Sequence, residues 1–298
     1  MSPALFFAFH DAVPDTRACL DRVYDVFSPY DATRRVCRQC FTLEEELRIR
    51  SPRDVRTADS ATFFPIYFEH PNCSGGLSTF RHWLPRALEC LALDTRLSPP
   101  LPDQIAILGL LRWPQAEQDA LRNLFTRATL NWLATGEPAP LFDQTPGDVD
   151  NAWRRATQTV EILLSALIYL RIEPASLAQH MLATDTPWAS LGLSVAISQG
   201  GIPDPTFLVL ENPDDEAAMR GAFAALDRRA RASFYRVISY EHLMARWEKA
   251  ADRDDEKLAA SLLEAMMMYV PLQLTDQEFT DDEALIAKVV KTCDKAKS

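Results

Sequence analysis

Apolar residues recur along most of this chain at intervals of three and four, the spacing that lines one face of an α-helix. Leu20, Val23, Tyr24 and Phe27 share such a face; Asp15 can cap it, and Ser28-Pro29 ends it. Thr42 and Glu45 fit a capping box that opens a short second helix. Residues 51–77 read as irregular, broken by Pro52, Pro65, Pro71 and Gly75-Gly76. Ser78 then opens a helix carrying Phe80, Leu84, Leu88 and Leu91, with Pro85 forced either into its first turn or into a kink.

Beyond Leu97–Pro102 (LSPPLP) the helical signals are cleaner. Leu121, Leu124, Phe125, Ala128, Trp132 and Leu133 form one apolar stripe, started near Pro114 and stopped at Gly136. A loop over Glu137–Gly147 follows, and Asp148 or Asp150 can cap a long helix with Trp153, Val160, Leu163, Leu164, Leu167 and Leu170 on one side. Further helices are expected near 175–184, 186–198, 214–230, 231–249, 255–270 and 278–295, with a single strand-like run at Thr206–Leu210. The pattern predicts an all-α protein: an irregular multi-helix array or bundle, open to a solenoid-like arrangement, with a loop-rich N-terminal region over 1–100 and a helical region over 101–298. No fixed sequence period appears. The two regions are expected to form one continuous body, because the first has too few good helices to bury a core alone.

Composition agrees. The chain has 298 residues, of which 47% are hydrophobic and only 9 are glycine, a balance that favours packed helices over tightly turned sheets. No window holds the ~18 uncharged apolar residues of a spanning helix. The opening MSPALFFAFHDAVPDTR has neither a basic n-region nor a small-residue cleavage site, so no signal peptide is expected. Six cysteines without dense spacing suit reduced thiols, and a cytoplasmic location is expected.

Charge changes the picture. Of a net −11, residues 1–100 contribute −1 and the rest −10. Acids cluster at Asp214, Asp215 and Glu216 and again at Asp254, Asp255 and Glu256. This balance repels phosphate backbones and anionic membranes and attracts a basic protein. Acids in a first helical turn also complement the helix dipole and keep a surface solvated, which is the plainer account of each cluster.

The sharpest chemical signal is Cys37-x-x-Cys40 followed, after 29 residues, by His70-x-x-Cys73. Two thiolates and two further soft ligands are what a closed tetrahedral zinc site needs, and His82 stands as a substitute for the fourth. Buried or idle thiols are the alternative. A structural zinc ion is thus the one cofactor the sequence suggests. No phosphate loop, nucleophile elbow, dinucleotide fingerprint or zinc-protease motif is present, and five histidines leave little for acid–base work.

Tyr24-Asp25-Val26-Phe27-Ser28-Pro29-Tyr30, Cys37-Arg38-Gln39-Cys40 and Phe80-Arg81-His82-Trp83-Leu84-Pro85-Arg86 follow one another in a familiar order. Over about residues 20–95 the chain resembles a family of uncharacterised bacterial proteins with an N-terminal Cys-x-x-Cys and a His-aromatic-Leu-Pro-Arg helix. The resemblance implies Cys37, Cys40 and His82 as the shared constellation, with His70 and Cys73 peculiar to this chain. It carries no activity. Within the helix motif, packing by Trp83 and Leu84 competes with an anion-facing edge made by Arg81 and Arg86.

The sequence therefore leads to a non-enzymatic protein that binds a basic protein partner through Asp214, Asp215, Glu216, Asp254, Asp255 and Glu256. An immunity- or antitoxin-like inhibitor of a basic toxin domain is its concrete form. The alternative is a zinc- or thiol-dependent enzyme or sensor centred on Cys37 and Cys40.

Overall fold

Side-chain caps set many of the helix starts. Asp15 accepts from the Ala18 N–H to start α1 (Thr16–Phe27), and Thr42 with Glu45 makes a complete capping box for α2 (Leu43–Ile49). Asp59 caps α3 (Ser60–Phe68) and Gly75, at φ 90°, precedes α4 (Gly76–Leu91). Then come α5 (Leu101–Ile107), α6 (Gln115–Thr135), α7 (Ala152–Tyr169), α8 (Pro174–Ala183), α9 (Pro187–Ser198), α10 (Pro213–Val237), α11 (Tyr240–Asp252), α12 (Glu256–Met267) and α13 (Asp276–Lys295). The computed structural model describes residues 4–32, 34–50, 54–69, 72–94, 97, 99–138, 152–198 and 213–295, the backbone alone for 213–215 and 291–295. Among the described residues the architecture is an all-α multi-helix array, and the β-type pairing present is an isolated parallel bridge between Phe7 and Ile172.

Several details depart from the sequence expectation. The stretch 51–77 is not irregular throughout: it holds α3, which runs through Pro65 and carries four buried residues, Thr62, Phe63, Ile66 and Tyr67. Residues 101–107, expected only as the end of a boundary, form α5, whose first six residues are all buried. The two helices expected over 214–249 divide instead at Ile238-Ser239, giving the 25-residue α10 and then α11, capped by Ser239. Pro85 lies well inside α4. The loop after Glu137, the caps Asp148 and Asp150, and the strand-like run Thr206–Leu210 lie, largely or wholly, outside the described residues.

One cluster of buried apolar side chains runs from Phe9 through Val289, crossing the LSPPLP segment. α1 packs on α4 and α6, while α7 touches α5, α6, α9 and α10; α9 packs on α12, and α10 on α13. Trp83, Trp113 and Trp132 are fully buried, and Trp153, Trp188 and Trp247 lean on the same core. All six tryptophans thus serve as core anchors, five of them on separate helices.

The N-terminal segment is fastened across the array. Phe7 donates its N–H to the Arg171 carbonyl and accepts from Glu173 N–H. Its ring lies 3.5 Å from the Arg122 guanidinium, and Phe6 lies 4.0 Å from that of Arg229. Arg171, just past α7, sits at φ 62° where glycine is usual; its side chain is buried and bonds to Leu5 O and Gln118 Oε1. Those contacts stabilise a left-handed conformation that costs a non-glycine residue roughly 1 kcal/mol.

Asp103 on α5 gives a pH prediction. It is buried and accepts from Tyr169 Oη at 2.8 Å. Burial, only partly offset by that hydrogen bond, pushes its carboxyl up to about 6. Between pH ~4 and ~6 the folded protein keeps a proton there that the unfolded chain releases, so stability contributed at low pH is lost as pH rises through this window. Asp103→Asn keeps an acceptor for Tyr169 without the charge. Its stability advantage over wild type, from urea midpoints, is expected to be about 2 kcal/mol greater at pH 7.5 than at pH 4.5.

Candidate metal centre

Three cysteines from two turns converge. Cys37 and Cys40 occupy the turn just before the Thr42 capping box, and Cys73 the turn just before α4. The turns are tied by a backbone hydrogen bond from Cys37 N–H to Cys73 O at 2.7 Å. Gly75 lets the second turn close: at φ 90°, an added Cβ would fall 2.6 Å from Thr79 Oγ1. Outside the sulfurs, Arg38, between the two cysteines, reaches the buried Glu46 carboxylate at 2.7 Å, anchoring the first turn to α2.

The three Sγ atoms lie within 4.8 Å of one another. Around a tetrahedral zinc with Zn–S of about 2.3 Å, sulfurs stand about 3.8 Å apart, so a small contraction suffices. All three thiols are free; Cys40 is exposed, and Cys37 and Cys73 are half-buried. Hydrogen bonding from the Gln39 and Cys40 backbone holds the Cys37 thiol below the ordinary value. Cys40 goes the other way, pushed up to about 12 by hydrogen bonds with Cys73 and with the Glu69 carboxylate. Cys37 is biased toward the thiolate while Cys40 resists a second negative charge, a conflict that a divalent cation removes. Amide donors on the first sulfur of a Cys-x-x-Cys turn are also the outer-shell bonds that orient a thiolate ligand. The donor set fits zinc.

Of the residues expected at the site, Cys37, Cys40 and Cys73 come together. His70 lies outside the described residues. His82 is not part of the group: its Nδ1 is 2.8 Å from the Tyr30 carbonyl oxygen and its ring sits edge-on to Trp83. Glu69, the acid beside Cys40, was not foreseen, and adjacency to His70 was the only sequence signal for it.

The Arg81 and Arg86 side chains do not form an anion-facing edge. Arg81 is buried between Trp113 and Tyr30, bonding Tyr30 Oη at 2.6 Å with Glu117 at 3.7 Å. Arg86 bonds the Ala58 carbonyl and Glu89, which also accepts from Tyr24. Both arginines serve packing, and Glu89 is the acid beside Arg86.

The acidic residues assigned to partner binding hold mixed posts. Glu216 pairs with Arg220 at 2.7 Å, Asp255 caps α12 through the Leu258 N–H, and Glu256 lies in that helix's first turn. Asp254 is exposed in a left-handed turn at φ 55°. Asp214 and Asp215 lie in the first turn of α10, their side chains outside the description. His180 is half-buried against Phe9, and His242 accepts from the Ser239 N–H to complete the start of α11. Comparison with known protein families, curated proteins and solved structures returned no match.

Proposed function

We propose that this chain is a zinc-clamped helical protein that acts by binding a basic protein and performs no bond chemistry of its own. The observation that carries the metal half is the convergence of Cys37, Cys40 and Cys73 on two turns tied by the Cys37 N–H to Cys73 O hydrogen bond. Zinc there would be held by three thiolates, with the fourth position filled from the segment of Glu69 and His70. Joining two turns whose nearer cysteines, Cys40 and Cys73, lie 33 residues apart in sequence, the ion is a structural clamp of the N-terminal part.

Support for the binding half is the net −10 carried by residues 101–298, which steers basic partners and needs no catalytic motif. An inhibitor of a basic toxin domain is one form of that activity. A zinc-dependent enzyme would instead require an open coordination position reached by substrate.

The experiment is metal analysis of protein purified under reducing conditions without chelator. One zinc per chain is expected, falling to near zero in Cys37→Ser and Cys73→Ser and reduced in Glu69→Ala or His70→Ala. Wild-type protein containing no stoichiometric metal, and taking up none on dialysis against zinc, would remove the clamp.

A further inference from the structure

The end of α12 and the segment after it carry an apolar surface that the fold leaves uncovered. Met267 is 79% exposed and Val270 73%, with Leu263, Met268 and Leu272 beside them in sequence. Leu263 and Met267 are four residues apart on one helix and share a face. Tyr269 ties this strip to α11: its ring packs on those of Tyr235, at 5.3 Å, and Tyr240, at 6.2 Å, while its hydroxyl donates to Ile238 O. Tyr240 is itself exposed. Methionine and tyrosine on one open surface are the residue types that protein interfaces favour, and neighbouring exposed apolar residues in such numbers are uncommon on a surface that meets only water.

Acids frame this strip. Glu241 follows Tyr240, and its charge adds to burial in raising the Tyr269 hydroxyl's pKa. Glu264 adjoins Leu263 and is exposed, and Asp276 and Glu278 open α13 just beyond Leu272. A second copy would bring the same acids, on the same net −10 portion of the chain, against each other. Charge therefore selects against self-association here and for a cationic occupant.

We infer that Tyr240, Leu263, Met267, Met268 and Val270 form the docking surface for a basic amphipathic segment of a partner protein. Its apolar side chains lie on the methionines and Tyr240, and its Lys or Arg residues face Glu241 and Glu264. This inference rests on the basic-partner reading above and gives it a place. That place is not the acidic sextet named from the sequence, which leaves Met267 and Val270 without a role.

The test uses full-length protein and two labelled peptides of equal length and helical amphipathicity, one built of Leu and Lys, the other of Leu and Glu. The Leu/Lys peptide is expected to bind, to weaken about tenfold or more between 50 and 300 mM salt, and to weaken about tenfold in the Met267→Ser/Val270→Ser double variant. Glu241→Lys/Glu264→Lys should weaken it while leaving the apolar strip in place. The Leu/Glu peptide should not bind. Because the substituted side chains are exposed, unchanged circular dichroism will confirm an intact fold.

Leu/Lys binding that survives both double variants keeps a basic partner but overturns this surface. No Leu/Lys binding to wild type overturns the surface and the basic-partner reading together. Dimerisation of wild type in sedimentation, abolished by Met267→Ser/Val270→Ser, would show that a second copy is the occupant and overturn the inference.

Discussion

Replacing Gly136 by alanine is expected to cost about 2–4 kcal/mol of folding stability, while the same change at Gly221 should gain about 0.5–1 kcal/mol. Gly136 closes α6 at φ 80°, its N–H bonded to the Trp132 carbonyl. A Cβ placed there would lie 2.8 Å from Cδ2 and 2.5 Å from Cζ2 of the Trp188 indole, and closer still to its Cε2. Trp188 cannot retreat freely, since it packs edge-on against the fully buried Trp132. Backbone strain and collision therefore add. Gly221 lies inside α10 with open space around the same position, so alanine there only restricts the unfolded chain. Urea denaturation of the two variants in parallel measures both. Equal midpoints for the pair would contradict the close approach of Trp188 to the end of α6.

Stripping zinc is the second large effect. If the ion binds the folded chain about a thousandfold below its free concentration, it adds about 4 kcal/mol of stability. For a chain of this size that corresponds to a fall in Tm on the order of 10 °C when a chelator removes it. Cys73→Ser without chelator should melt near the chelated wild type, and chelator should not shift the variant further. This non-additivity separates loss of the metal from loss of one buried contact. The change should be felt around residues 34–50 and 72–91, so protease sensitivity there should rise before α6 and α7 open. An unchanged Tm on chelation of zinc-loaded protein would show that the two turns do not depend on the ion.

Much of the helix pattern was legible because caps and stripes are local. The Thr42–Glu45 box, the Asp15 cap, the α6 stripe and the Gly136 stop each need only a few residues to be recognised, and each is present. α3 and α5 were hidden for a physical reason. Both are buried around much of their circumference, Asp103 and Gln104 included, so neither offers the polar face that periodicity detects. Prolines compounded the error: Pro65 lies within α3, and Pro102 in the first turn of α5, where a missing N–H costs nothing.

At the candidate site, the Cys-x-x-Cys spacing and Cys73 were readable, because close ligand pairs advertise themselves. The exclusion of His82 was not. It depends on how α4 is rotated against Tyr30, and that rotation is set by Trp83 bonding the Ile49 carbonyl and Tyr67 bonding that of Phe80. The exposed strip at Met267–Val270 was only half legible: three consecutive methionines suit either a binding surface or, more plainly, core filling, and Met266 alone of the three is buried. Burial depends on which helices lie against a face, and α12 meets α9 and α11 on its other sides.

The fastening of Phe6 and Phe7 has a consequence for how the protein is made. Their cationic seats, Arg122, Arg171 and Arg229, are translated long after the phenylalanines themselves. A nascent polypeptide carries Phe7 bare on the ribosome until α7 and the turn after it emerge, and Phe6 until α10 does, inviting holdase chaperones to this stretch during synthesis.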